Sequence, residues 1–178
     1  MKVSRKLAWG GRVDVAFGDR VIQICEGLGF DPSWLMAVMA FETGESFSAS
    51  VRNGAGSGAT GLIQFMPQTA AEMGTSVEAL ARLSALKQLD YVEAYFWPRR
   101  GKLQSLEDVY MAVLWPAAIR KPLDFVLFEK GSVKNPRAYV QNAGLDYDKN
   151  GRITKREAAR RVKLKLDKGL GAGYWRGY

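Results

Sequence analysis

Apolar residues recur at helical spacing along most of this chain, and that period limits the fold more than any other feature of the sequence. Helix start and stop signals agree with the same period. Asp31 and Pro32 provide an N-cap followed by a proline at the first helical position, and Gly44 ends the helix that they begin. The sequence therefore predicts a mainly α fold.

The same signals predict further helices on both sides of this one. They are 13–29, a segment from Pro67 toward Gly74, a stretch capped by Ser76 or Ser84 and closed by Pro98, a stretch that starts with a Ser105 and Asp108 capping box and ends near Trp115, and 136–143. No internal repeat or long linker divides the 178 residues, which predicts one domain over 1–178.

Residues 46–61 differ from the rest of the chain because they are rich in Gly, Ser, Ala and Asn. These residue types favour turns and a short, loosely paired β excursion over helix. We therefore expect this segment to form a small β or loop lip beside a cleft.

The composition excludes several kinds of site. The chain has one cysteine, Cys25, and no histidine, so an intrachain disulfide and a zinc site made of cysteine and histidine are excluded. Catalysis must then use carboxylates, hydroxyls or lysines, and we expect no organic cofactor. The basic first 20 residues contain no apolar run long enough for a signal peptide, and no stretch reaches the roughly 18 apolar residues of a membrane span.

The formal net charge of +8 predicts attraction to polyanions. No nucleic-acid-binding motif accompanies this charge, so we expect no nucleic acid partner. We also expect a monomer. A basic helix after residue 157 places Ala158, Val162 and Leu166 on one face, which makes an anionic outer-membrane or lipid surface a candidate partner. Docking of this helix on the core, with a solvated basic face, is the favoured interpretation. The glycine-rich tail 169–178 is expected to be mobile.

Glu42 is the candidate catalytic residue. Leu35, Val38 and Glu42 lie at positions i, i+3 and i+7, so the carboxyl shares the apolar face of its helix. Apolar neighbours and the negative end of the helix dipole both favour the neutral carboxyl, which suits a general acid. The alternative interpretation is that Glu42 only marks the solvated end of a helix.

The residues that follow Glu42 distinguish these interpretations. Phe41-Glu42-Thr43 is followed by Ser46-Phe47-Ser48 and by the run GATGLIQFMPQTA at 58–70. This order resembles the signature of lytic transglycosylases and goose-type lysozymes: a Glu at a helix end, a Phe shortly after it, and G-A-x-G-L-x-Q-x-M-P-x-T-A. The resemblance covers roughly residues 31–75 and implies a lysozyme-like fold.

The resemblance also implies roles for individual residues. Glu42 would donate a proton to the bond between N-acetylmuramic acid and N-acetylglucosamine and then act as a base. Thr43 and Gln64 would bind the sugars, and Phe65 and Met66 would form the cleft wall. From the residues alone, a loop brace remains open for Gln64 and a core position for the two apolar residues.

Two parts of the usual glycosidase plan have no clear counterpart. Glu45 and Glu72 are candidates for a second carboxylate by proximity, but neither fits a family position, and the family resemblance implies that none is required. Many members carry an A-Y-N-A-G motif whose Tyr faces the catalytic Glu. Tyr110 is the favoured equivalent here and Tyr139 is its rival, with a core role open for both.

Residues 146–157 match the loop of an EF-hand, which would be embedded in the domain at about 136–168. The predicted Ca²⁺ ligands are Asp146, Asp148, Asn150, the Arg152 carbonyl, a water held by Thr154, and Glu157. Gly151 would permit the turn. Because four basic residues surround these ligands, a loop that closes without metal is the alternative. EF-hands usually occur in pairs and the sequence shows no second loop, so a structural role for the ion is expected.

These features predict an enzyme that cleaves peptidoglycan as a lytic transglycosylase, with a hydrolytic muramidase as the alternative. The short length, basic charge and missing export signal suggest a phage endolysin or virion-associated wall hydrolase. It would be made in the host cytoplasm and act on the wall in the periplasm, or be carried in the virion. Two rivals come from other classes: a non-enzymatic calcium-binding interaction protein, and a nucleic-acid binder supported by charge alone.

Overall fold

A computed structural model of the protein describes residues 5–54 and 56–178, and the fold is mainly helical, as predicted. The helices are α1 (Val15–Leu28), α2 (Pro32–Glu42), α3 (Pro67–Glu72), α4 (Val77–Arg82), α5 (Ala85–Phe96), α6 (Leu106–Leu114), α7 (Ala138–Asn142) and α8 (Lys155–Gly169). The strands are β1 (Lys6–Leu7), β2 (Val126–Glu129), β3 (Arg152–Thr154) and β4 (Arg176–Gly177).

Helix α2 is the central element of the core. It packs against α8, α1 and α6, and its residues from Pro32 to Ala40 are buried except for the partly exposed Trp34. A helix that is apolar on nearly all sides belongs in the interior, which agrees with its sequence. At its start the Asp31 carboxylate accepts a 2.8 Å hydrogen bond from the Ser33 N–H, so the predicted N-cap is confirmed.

Local capping signals locate the starts of α4 and α5. Ser76 and Ser84 were alternatives in the sequence, and both act as N-caps: their hydroxyls accept hydrogen bonds from the N–H groups of Ala79 and Lys87. The predicted stretch therefore consists of two helices, α4 and α5.

The capping box predicted at the start of α6 is only half correct. Ser105 accepts the Asp108 N–H at 3.1 Å, but the Asp108 carboxylate accepts from the Gln104 N–H and not from that of Ser105. Its other oxygen lies 2.6 Å from the Lys155 ammonium. The Asp108 carboxylate therefore pairs with a buried cation from a distant helix and does not complete the local capping box.

Two small antiparallel sheets tie distant parts of the chain together. β2 pairs with β3, and β1 pairs with β4 in the register Lys6 to Gly177 and Leu7 to Arg176. The second pairing, with the edge contact of Tyr174 on Trp9 at 5.1 Å, shows that the prediction of a mobile tail is wrong. The tail closes the amino-terminal side of the core.

The basic helix α8 is docked on the core through Ala158, Ala159 and Val162. This is the arrangement that the sequence favoured over a membrane-binding helix. Gly169 allows a close approach at its end, because a Cβ there would lie 2.4 Å from the Trp9 ring. Within the part of the chain that the structure describes, none of the helices combines the length and apolar character that crossing a membrane requires.

Candidate active site

The carboxyl end of α2 places Glu42 at the last helical position. Gly44 adopts φ 59°, and the helix closes with two backbone hydrogen bonds, from the Gly44 N–H to the Phe41 carbonyl and from the Glu45 N–H to the Ala40 carbonyl. These are the two bonds of a Schellman motif, in which a left-handed residue satisfies the last free carbonyls of a helix. The motif confirms the predicted end at Gly44 and fixes the position of Glu42.

The Glu42 carboxyl is half-buried and has no charged partner among the described residues. Among residues 5–54 and 56–178, no hydrogen bond or ion pair reaches it. Burial raises the pKa of Glu42 from its ordinary value of 4.5 to about 8, because the charged form loses hydration without gaining a partner. At neutral pH the group is therefore a carboxylic acid that can donate a proton.

Two tyrosines lie within electrostatic reach of Glu42. Burial, followed by the charge of Glu42, raises the pKa of Tyr110 far above its ordinary value, and Tyr110 meets Phe41 edge to face at 5.6 Å. Tyr95 also has a raised pKa, from burial first and with a smaller contribution from Glu42. Its hydroxyl donates to the Ala112 carbonyl at 2.6 Å. Both phenols therefore remain neutral beside the acid.

Tyr95 was not identified from the sequence. It lies on α5, whereas Tyr110 lies on α6 and Glu42 on α2. No local motif links these positions, and only the packing of three helices brings them together. The structure favours Tyr110 over Tyr139 as the tyrosine beside Glu42.

Thr43 and Phe65, which were predicted to contact substrate, lie in the interior. The Thr43 hydroxyl is buried, donates to the Met39 carbonyl at 2.7 Å and accepts the Phe47 N–H at 3.0 Å. Phe65 is also buried and meets the Tyr95 ring edge to face at 6.1 Å. These contacts support the residues around Glu42 and give no indication of a substrate contact.

Gln64 and Met66 are more accessible. Gln64 adopts φ 54°, and its amide donates to the carbonyls of Val51 and Gly61 at 3.2 and 3.0 Å, which matches the loop-brace alternative. No hydrogen bond to its Oε1 atom is found in the described residues. Met66 is 47% exposed and so remains available as cleft wall.

The segment 46–61 forms the expected irregular lip, apart from Ala55, which lies outside the described residues. Isolated bridges join Arg52 to Thr60 and Thr60 to Phe65. The buried side chain of Gln88 fastens this lip from α5: its Oε1 accepts the Leu62 N–H at 2.7 Å and its amide donates to Ala49 and Leu80. Sequence reasoning missed Gln88, since a glutamine at a core position carries no local signal.

The two other acidic candidates have different surroundings. Glu45 pairs with Lys165 and with Lys168, the latter at 2.6 Å, and these hydrogen bonds lower its pKa. It is therefore ionised and engaged with α8. Glu72 accepts a hydrogen bond from Gln68 at 3.0 Å on the surface of α3. Neither residue shares the isolated, neutral state of Glu42.

The loop 146–157 lies between the short helix α7 and α8. The acidic side chains of Asp146, Asp148 and Glu157 each place an oxygen within 4.8 Å of the others. Gly151 adopts φ 83°, and its N–H donates to the Asp146 carboxylate at 2.9 Å. The Tyr139 hydroxyl also donates to Asp146, at 2.6 Å, which places this tyrosine at the loop.

The remaining predicted ligands show how the loop is held. The Asn150 side-chain oxygen accepts the Arg152 N–H at 2.8 Å. Thr154 and Glu157 form a capping box at the start of α8, in which Glu157 accepts from the Thr154 N–H at 2.9 Å. Within the loop, β3 pairs with β2, so the strand next to the loop comes from 126–129.

A buried ion pair connects this loop to the helix that carries Tyr110. Lys155 and Asp108 lie 2.6 Å apart with side chains only 3% and 5% exposed. Desolvation would raise the pKa of Asp108, but the hydrogen bonds from Lys155 and from the Arg120 and Gln104 N–H groups hold it below its ordinary value. The ammonium of Lys155 also donates to the Lys121 carbonyl at 2.9 Å.

Comparison with known proteins agrees with this geometry. No curated protein matches the chain. Residues 21–93, less than half of the chain, match the family described as Transglycosylase SLT domain. The matched segment runs from α1 into α5 and includes Glu42 and the lip. The segment that carries Glu42 is therefore similar to a transglycosylase SLT domain, the domain of lytic transglycosylase enzymes, which act on peptidoglycan.

Proposed function

We propose that this protein cleaves the β-1,4 bond between N-acetylmuramic acid and N-acetylglucosamine with Glu42 as the only catalytic carboxyl. The observation that carries the proposal is the state of Glu42. The Glu42 carboxyl is half-buried and has no ion pair in the described part of the chain, and its pKa is raised to about 8. It lies in the segment that matches the transglycosylase SLT domain. The non-enzymatic calcium-binding alternative does not account for an acid in this state.

The reaction divides into two proton transfers at one carboxyl. Neutral Glu42 gives its proton to the glycosidic oxygen as the bond to the muramoyl C1 breaks. The resulting carboxylate then takes a proton from the muramoyl 6-hydroxyl, whose oxygen forms the new bond to C1 and gives a 1,6-anhydro end. In the alternative muramidase reaction, water supplies both that oxygen and the proton.

The surroundings of Glu42 fit this cycle. Tyr95 and Tyr110 remain neutral, so neither adds a negative charge that would oppose formation of the Glu42 carboxylate. Glu45, the nearest acid along the chain, is neutralised by two lysines of α8. A single acid can then alternate between its protonated and ionised forms without a second carboxylate beside it.

Product analysis tests the proposed reaction. Purified peptidoglycan is digested with the wild-type protein, and the soluble muropeptides are weighed by mass spectrometry. We expect anhydro-muropeptides, which are lighter by one water than the corresponding reducing-end products. Reducing-end products would instead establish the muramidase reaction, and the absence of any product from folded protein would refute the enzymatic proposal.

We also propose that loop 146–157 binds Ca²⁺ as a structural ion. The donor set is chemically suitable, since carboxylate, amide and carbonyl oxygens are the ligands that Ca²⁺ prefers. Three carboxylates already converge and Gly151 provides the turn. Asp146, Asp148, Asn150, the Arg152 carbonyl and Glu157 would hold the ion, which would offset the repulsion among the acids.

Calcium is expected to raise the melting temperature of the protein. A ligand that binds only the folded state at 100 times its Kd adds about 2.7 kcal/mol. The shift is measured by calorimetry in Ca²⁺ and in chelator. It should be smaller in Asp148→Asn, which lacks one of the ligand carboxylates, than in the wild type. Asp167→Asn, which alters an exposed carboxylate on α8 3.8 Å from Lys163, is the control that should keep the shift. Equal melting temperatures of the wild type with and without Ca²⁺ would contradict the site.

For biological context we propose a phage endolysin or virion-associated enzyme that reaches the wall from the cytoplasm or the particle. The net charge of +8 supports an encounter with anionic wall and outer-membrane surfaces. Leakage of a dye from anionic but not neutral vesicles would support a membrane partner.

A further inference from the structure

A depression of about 450 Å³ lies directly beside the end of α2. One side consists of Phe41, Gly44 and Glu45, which flank or follow Glu42 in the chain. The opposite side presents cationic side chains of α8, from Arg161, Lys165 and Lys168. Three cations and one carboxylate therefore line it, which leaves an excess of positive charge beside the end of the helix that carries Glu42.

The cations are not equivalent. Glu45 pairs with both Lys165 and Lys168, so those charges are largely satisfied within the protein. Arg161 is exposed, and no carboxylate pairs with it in the described ranges 5–54 and 56–178. Its neutral partners are the Tyr147 hydroxyl, 3.1 Å from Nε, and the Gly144 carbonyl, 3.5 Å from Nη2. Most of its five donors are left for a ligand.

Arg161 and the end of α2 that carries Glu42 lie on the same depression. Both residues lie within electrostatic reach of Tyr110: the charge of Glu42 raises the pKa of this tyrosine and the charge of Arg161 opposes that rise. Tyr110 in turn contacts Phe41, which lines the depression. Phe41, the residue before Glu42, and Arg161 therefore line the same depression, and the guanidinium is held by Tyr147 and Gly144.

We propose that Arg161 binds a carboxylate of the peptide stem carried by the muramoyl residue. This inference rests on the proposed cleavage of peptidoglycan by Glu42. The stem is attached to the lactyl group of the sugar whose bond is cleaved, and it carries free carboxylates at a short distance from that bond. A planar guanidinium can hold a carboxylate through two parallel hydrogen bonds, and an anchored one loses little freedom in doing so.

The test compares two substrates that differ in the stem and its carboxylates. Glycan strands with intact peptides are compared with strands that an amidase has stripped and whose freed lactyl carboxylate has then been converted to an amide. Both are digested by the wild type, Arg161→Ala and Arg161→Lys. For intact strands we expect Arg161→Ala to raise KM about tenfold with little change in kcat, the size of one lost charge-assisted hydrogen-bonded contact. Arg161→Lys should lie between, and stripped strands should show no difference.

Arg160→Ala is the matched control. Arg160 is adjacent and stacks on the Tyr147 ring at 4.4 Å, but it does not line the depression. Its KM should match the wild type on both substrates. An equal effect of Arg161→Ala on intact and stripped strands, or no effect on either, would overturn the proposal.

A binding measurement separates this proposal from the proposed function. The retention of intact and stripped strands on immobilised Glu42→Gln protein, with and without Arg161→Ala, needs no turnover. Selective loss of retention of intact strands supports the Arg161 site even where the reaction catalysed by Glu42 is found to be different. Unchanged retention refutes the Arg161 site while leaving cleavage by Glu42 intact.

Discussion

Glu42→Gln is expected to lower the rate of peptidoglycan cleavage by about 10³-fold or more, because the amide can neither donate the proton nor accept it back. General acid–base catalysis contributes about 10²–10⁴-fold, and both proton transfers use the same side chain. The rate is measured as release of soluble muropeptides from purified walls. Glu45→Gln should retain activity within a few-fold, since Glu45 is ionised and bound to α8.

The pH dependence of stability provides an independent check on Glu42. Its pKa is about 8 in the folded protein and 4.5 ordinarily, so the contribution of this group to stability is complete below about 4.5 and is lost as the pH rises through 8. Gln has no such titration. The melting temperature of Glu42→Gln should therefore rise relative to that of the wild type between pH 5 and 8.

A parallel pH dependence of the two proteins would mean that Glu42 is not held neutral by burial. If folded Glu42→Gln protein retained most of the activity, Glu42 would be excluded as the general acid. Wild-type activity should fall as the pH rises through about 8, because the acid must start protonated.

Lys155→Met is expected to reduce the free energy of unfolding by about 3–5 kcal/mol, which is the usual cost of leaving one buried charge without its partner. Lys155 and Asp108 are almost fully buried and bonded at 2.6 Å. The loss would be a large part of the roughly 5–15 kcal/mol that stabilises a typical domain. Urea denaturation followed by circular dichroism measures the change.

Lys163→Met is the matched control on the same helix. Lys163 forms an exposed pair with Asp167 at 3.8 Å, and such pairs contribute about 0–1 kcal/mol. The double variant Asp108→Leu with Lys155→Met removes both charges, so it should lose less than the sum of the two single variants. Additive losses, or a loss in Lys155→Met as small as in the control, would show that the pair does not act as a buried unit.

The parts of the structure that were predicted correctly depend on residues close together in the chain. The N-cap at Asp31 and the glycine stop at Gly44 are local features, and they located α2 and the position of Glu42 on it. The coarse activity followed from an ordered motif over residues 31–75, and the match at 21–93 confirms it. The calcium loop stays a prediction, since its ligand spacing is a local pattern whose occupancy is a separate question.

The parts that were missed depend on residues far apart in the chain. Asp108 fits a local capping pattern in the sequence, but in the structure its carboxylate pairs with Lys155, which is 47 residues away. Tyr95 has no motif that would connect it with Glu42, and the tail was taken as mobile although β4 pairs with β1. Sequence spacing cannot detect these contacts, because each is formed by packing.

The sequence by itself determined a mainly helical domain, its caps and the identity of the candidate acid, since helical period, capping and short motifs act over a few residues. The sequence predicted a neutral Glu42, but only the tertiary structure assigned different charge states to this acid and its neighbour Glu45. Glu42 and Glu45 are three residues apart, yet burial raises the pKa of one and two lysines of α8 lower that of the other. Desolvation and Coulomb interaction depend on distance through space, which only the packing of α2 against α6 and α8 establishes.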